Sequence, residues 1–102
     1  MPGKLNGKVA IVTGASAGIG RASALALAAE GATVIITARR QERLHALASE
    51  INAMNTQAYV VAGDANDEAT AKRCVETALN EAGTIDILLN NTGMGNYKNL
   101  AD

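Results

Sequence analysis

Four short apolar runs lie at nearly even intervals along this chain, and a stretch with helical periodicity separates each from the next. Lys8-Val9-Ala10-Ile11-Val12-Thr13 is rich in β-branched residues and stops at Gly14, which reads as a buried strand feeding a tight turn. Beyond the glycines, Ala22, Leu25, Ala26 and Ala29 recur at helical spacing, and Gly31 stands where that helix needs a left-handed cap. Thr33-Val34-Ile35-Ile36-Thr37 reads as the second strand, and Leu44, Leu47, Ala48 and Ile51 mark one face of a second helix. Gln57-Ala58-Tyr59-Val60-Val61 is the third strand. Ala71, Cys74, Val75, Ala78, Leu79 and Ala82 form the stripe of a third helix, closed by Gly83. Ile85-Asp86-Ile87-Leu88-Leu89-Asn90 is the fourth strand, followed by a tail from Thr92 to Asp102 with no apolar periodicity.

Strict alternation of strands and helices through short loops predicts an α/β fold, a Rossmann-like parallel sheet built from right-handed crossovers. The expected strand order is 3-2-1-4, with the first two helices on one face and the third on the other. A sheet that stops at its fourth strand is a truncated version of that architecture. Its fourth strand is apolar on both sides and leaves an unpaired edge, so a homo-oligomer is expected through that edge or through the half-bare face.

The 102 residues fit one domain, and that length is short for an enzyme holding both a dinucleotide and a substrate. A net charge of -1 gives no electrostatic footprint for nucleic acid or an anionic membrane surface. The sequence has neither a signal-peptide segment nor an apolar run long enough for a bilayer, so a cytoplasmic protein is the expectation. Cys74, the single cysteine, lies on the apolar stripe of the third helix and reads as a buried, inert thiol. His45, the single histidine, falls on the face opposite Leu44, Leu47 and Ile51 and is expected to be exposed, which leaves little support for a metal site or a Ser/His pair.

The stretch Thr13-Gly14-Ala15-Ser16-Ala17-Gly18-Ile19-Gly20 lies between the first strand and the first helix. A diphosphate is held by backbone N–H groups at a helix N-terminus, and glycines let the chain approach it without a Cβ clash. In a 3-2-1-4 sheet the switch point lies between strands one and four, so this turn and Asn90-Asn91-Thr92-Gly93 open at the same place. Cofactor choice is read at the end of the second strand, where NAD-binding chains present an acid to the ribose hydroxyls. Ala38-Arg39-Arg40 stands there instead. With no carboxylate to repel a 2′-phosphate and two guanidinium groups to pair with it, NADP is expected, with NAD as the alternative.

The turn resembles the T-G-x-x-x-G-I-G motif of the short-chain dehydrogenase/reductase family, Asn90 to Gly93 is similar to that family's N-N-A-G with Thr92 in place of alanine, and Asp64 matches its adenine-pocket aspartate. The resemblance implies that Gly14, Ser16, Ala17, Gly18, Ile19 and Gly20 hold the diphosphate and that Asp64 and Ala65 border the adenine. It also implies that Asn90, Thr92 and Gly93 line the ribose and nicotinamide side. Asn90 and Asn91 carry a second reading, since asparagines at a strand end commonly satisfy neighbouring backbone groups.

The family's proton-transfer pair, Y-x-x-x-K, is absent: Tyr59 is followed four residues later by Gly63, and Tyr97 by Ala101. No catalytic residue is therefore assigned, and the resemblance puts the family's catalytic asparagine beyond Asp102. Three functions remain open: the NADP-binding portion of an oxidoreductase, a non-catalytic nucleotide-binding module, and an inactive truncated gene product.

Overall fold

The computed structural model describes residues 3–16 and 18–91. Its elements alternate as β1 (Val9–Thr13), α1 (Gly18–Ala29), β2 (Thr33–Ala38), α2 (Gln41–Asn52), β3 (Ala58–Ala62), α3 (Glu68–Ala82) and β4 (Ile87–Asn90). The strands form one parallel sheet in the order β3-β2-β1-β4. β-branched residues fill its two central strands, whose side chains are buried on both faces.

Alternation along the strands divides the core in two. Val12, Val34 and Ile36 face α1 and α2, meeting Ala24, Ala28, Leu44, Leu47 and Ile51. Val9, Ile11, Ile35 and Val61 face the other way, onto Ala71, Cys74 and Ala78 of α3. Both expected helix placements hold, and the Cys74 thiol is buried while His45 is exposed.

Three local expectations are corrected. The buried side of α1 is Gly20, Ala24 and Ala28, whereas Ala22, Ala26 and Ala29 are exposed. On α3, Leu79 is 50% exposed on the flank away from β3, because among the described residues nothing covers α3 on the β4 side. β4 begins at Ile87, two residues later than expected. Asp86 takes the preceding position on the ladder with its side chain, its carboxylate accepting from the Val9 N–H at 2.9 Å while its own N–H donates to the Val9 carbonyl at 2.8 Å.

The termini of α3 follow from single residues. The Asp67 carboxylate accepts from the Ala69 N–H at 3.0 Å and starts the helix, and Gly83 ends it in the left-handed conformation. At the outer edge of β3, two side chains occupy backbone groups that face away from β2. The Asn52 amide oxygen accepts from the Ala58 N–H at 3.0 Å, and Arg73 Nη2 donates to the Ala62 carbonyl at 2.8 Å. No helix among the described residues is long and apolar enough to cross a membrane.

Candidate nucleotide-binding site

The strand ends that carry the sequence motifs are aligned by register, Thr13 lying beside Thr37 and Asn90, and Ala38 beside Ala62. The chain leaves β1 through Gly14 at φ +62, and the Ala15 N–H donates to the Thr37 carbonyl at 3.1 Å, which folds the turn back over the end of β2. Gly18 opens α1 at φ +60, a conformation that costs any residue with a Cβ, and apart from its chain neighbours and its own helix no atom of the described residues lies within 4 Å of where that Cβ would sit. The backbone there is bare toward solvent. The first turn of α1 contains no acidic residue, so nothing offsets the positive end of the helix dipole. At Gly20 the reason for glycine is different: a Cβ would stand 1.9 Å from the Gly14 carbonyl oxygen.

Next to this turn is an open cavity of about 330 Å³, lined by Gly14, Ser16, Ala38, Arg39, Arg40, Gly63, Asp64, Ala65 and Asn66. Its volume falls at the low end of the range for small-molecule sites. The cavity draws its lining from the ends of three strands. Arg39 and Arg40 follow β2, with Arg40 at the N-cap position of α2 in an extended conformation. Asp64 follows β3, and its Oδ1 accepts from the Asn66 N–H at 2.9 Å in an Asx turn. Arg39 Nη2 donates to Asp64 Oδ2 at 3.0 Å, joining two of the lining residues. Bare backbone at a helix N-terminus beside two guanidinium groups is a donor set for anionic phosphates, so these residues fit a dinucleotide.

Of the residues expected from sequence, Gly14, Ser16, Arg39, Arg40, Asp64 and Ala65 meet at this cavity. Gly18, Ile19 and Gly20 continue the turn into α1 outside the lining, with Ile19 78% exposed. Asn90 and Asn91 lie on the far side of β1. The Thr13 hydroxyl, itself buried, donates to Asn90 Oδ1 at 3.0 Å and accepts from the Asn91 N–H at 3.0 Å, while Asn91 Nδ2 donates to the Thr13 carbonyl at 3.0 Å. The structural reading of the two asparagines therefore has a definite content, which is to tie the ends of β1 and β4 together. Ala17, Thr92 and Gly93 lie outside the described residues.

Gly63 and Asn66 were not anticipated at the site. Gly63 had a legible signal, a glycine at a strand end just before the aspartate. A Cβ on Gly63 would meet Thr70 Oγ1 at 2.5 Å, so the glycine lets the strand end approach α3. Asn66 offered only its place two residues beyond Asp64, at the close of the Asx turn. Among the described residues no group of His, Cys, Asp or Glu side chains could hold a metal ion.

Residues 8–102 match the short chain dehydrogenase family. The chain is 44% identical over 100 residues to a short chain dehydrogenase of Pseudocercospora fijiensis, covering 98% of this chain and 32% of the relative. It is 46% identical over 90 residues to the 7alpha-hydroxysteroid dehydrogenase of Clostridium sardiniense, covering 88% of this chain and 34% of that protein. The structure superposes on L-sorbose reductase from Gluconobacter frateurii, crystallised with NADPH and L-sorbose, with a TM-score of 0.83 and 37% identity over 94% of this chain and 37% of the reductase. The chain thus spans about a third of the length of these relatives. With the glycine turn, the strand order and the family match in agreement along nearly its full length, the chain belongs to the short-chain dehydrogenase/reductase family.

Proposed function

We propose that this chain is the NADP(H)-binding portion of an oxidoreductase that interconverts a carbonyl and an alcohol. The observation that carries the reading is the cavity wall after β2, where Arg39 and Arg40 stand and where Ala38 occupies the place of a ribose-binding acid. The turn from Gly14 through Ser16, Ala17, Gly18 and Ile19 to Gly20 would hold the diphosphate. Arg39 and Arg40 would pair with the 2′-phosphate, and Asp64 and Ala65 would border the adenine. Asn90, Thr92 and Gly93 would line the nicotinamide side. The bound nicotinamide would supply or accept the hydride. The chain itself binds and orients, since none of its tyrosines has a lysine four residues on and the proton must come from another group.

Calorimetric titration tests the reading directly. NADP⁺ is expected to bind about ten- to a hundredfold more tightly than NAD⁺, the worth of a charge-assisted hydrogen bond. Ala38→Asp should erase most of that difference. Equal dissociation constants in the unsubstituted chain would overturn the preference, and absence of binding to either would overturn the function.

A second observation favours self-association. β4 is an outer strand among the described residues, and Leu88, 38% exposed, shares its face with the exposed Leu79. Such an edge recruits a partner strand, and we infer that a second copy of this chain supplies it. Sedimentation should show a dimer or larger assembly that Leu88→Lys weakens, whereas a stable monomer at tens of micromolar would rule the pairing out.

A further inference from the structure

The bond between Arg39 and Asp64 joins the two side chains to which the proposed function gives separate tasks. Arg39 and Asp64 leave neighbouring strands one residue and two residues after paired positions, Ala38 beside Ala62, and the Gly63 N–H donates to the Ala38 carbonyl at 2.9 Å. The two side chains are therefore held on adjacent backbone. The carboxylate is the fixed member, because its Oδ1 already accepts from Asn66 while Oδ2 receives Arg39. The guanidinium is the movable member: its side chain is 74% exposed, against 44% for Asp64, and among the described residues it engages through one nitrogen only. Arg40 lines the same cavity and forms no ion pair among the described residues.

We propose that Asp64 is a specificity-determining residue that sets the preference for 2′-phosphorylated nucleotides by holding Arg39 in an ion pair which a 2′-phosphate must displace or share. The inference rests on the nucleotide-binding reading above. It adds that the preference is set below what two unengaged arginines would give. A guanidinium half-neutralised by a carboxylate attracts a phosphate dianion less strongly, and the carboxylate itself repels that dianion. Exposed ion pairs at hydrogen-bond distance are weak, so the attenuation is expected at about two- to fivefold and should shrink as salt is raised.

Adenosine 2′,5′-bisphosphate and adenosine 5′-monophosphate differ only in the 2′-phosphate, so the ratio of their dissociation constants cancels any contact of Asp64 with adenine. Titration calorimetry of the whole chain measures that ratio. Asp64→Asn keeps an oxygen for the Asn66 N–H and removes the charge. It should raise the preference for the bisphosphate about two- to fivefold, and in an Arg39→Gln background the same substitution should raise it by less than half as much. A ratio that stays constant or falls would overturn the proposal, a fall meaning that Asp64 aims Arg39 rather than restraining it. An equal rise in both backgrounds would also overturn it, reducing Asp64 to simple charge repulsion. If the unsubstituted chain shows no preference for the bisphosphate, the NADP reading fails, while a preference that emerges only in Asp64→Asn still supports the restraint. A readout without ligand separates the two fully: ¹⁵N relaxation of the Arg39 side chain should show greater motion in Asp64→Asn, and unchanged motion would mean that no restraining pair exists.

Discussion

Replacing Gly20 with alanine tests whether the first turn of α1 is held as close to the glycine turn as the structure shows. The new Cβ would lie 1.9 Å from the Gly14 carbonyl oxygen, 2.7 Å from its carbon and 3.3 Å from the Ala15 Cα. Even a C–H···O contact closes no further than about 3.3 Å, so the start of the helix must withdraw by roughly 1.4 Å. All three obstructing atoms are backbone, and no rotamer change can relieve the contact. Withdrawal would also lift Ala24 and Ala28, both buried against the sheet, from Val12 and Val34. Overpacking costs about 1–3 kcal/mol, here about 2–3 because the obstruction is backbone, and the better helix propensity of alanine returns about 1 kcal/mol. The expected net loss is about 1–2 kcal/mol in urea denaturation followed by far-UV circular dichroism, together with weakened nucleotide binding because the Gly14 carbonyl moves. Gly18→Asn is the comparison, since no neighbouring element crowds that site and asparagine bears the left-handed backbone at less cost than other residues with a Cβ; it should lose less stability than Gly20→Ala. A Gly20→Ala chain as stable as the original would refute the close approach of α1.

Two further substitutions test the energetics of single groups. Thr37→Val should stabilise the chain by about 1 kcal/mol in the same denaturation experiment, because the Thr37 hydroxyl is buried with no hydrogen-bond partner among the described residues and valine matches its shape; a loss of stability would reveal a partner. Asp67→Ala should cost about 1 kcal/mol and lower helicity by removing the acceptor for the Ala69 N–H, and an unchanged melt would show that α3 needs no cap.

Strand positions were legible because β-branched runs such as Val9–Thr13 and Thr33–Ala38 leave little choice of conformation, and their alternation with helices points to a parallel sheet with right-handed crossovers. Most of the cavity was legible for the same reason: its residues directly follow strand ends. What escaped depends on contrast or on side-chain competition. α1 is nearly uniform in alanine and leucine, so periodicity alone could not separate Ala24 and Ala28 from the exposed Ala22 and Ala26. Leu79 follows the helical stripe, yet its burial depends on a neighbour that a local pattern does not specify. Asp86 looked like a polar residue within a strand, and only the register shows its carboxylate substituting for a rung of the ladder. The pairing of Arg39 with Asp64 joins residues 25 apart in sequence, a coincidence of strand ends that no local pattern encodes.

The two borders of the sheet are unlike in a way that limits how copies of the chain could add to one another. Along β3, Asn52 and Arg73 already occupy an outward N–H and an outward carbonyl, so an incoming strand would have to displace both side chains before it could form a regular ladder. Among the described residues, growth by strand addition would therefore be polar, open at β4 and shut at β3. Two copies joined β4 to β4 about a two-fold axis would present only β3 borders to a third, so edge pairing by itself would stop at two and lack the head-to-tail step that an unlimited fibre requires, and anything larger would have to grow through the sheet faces.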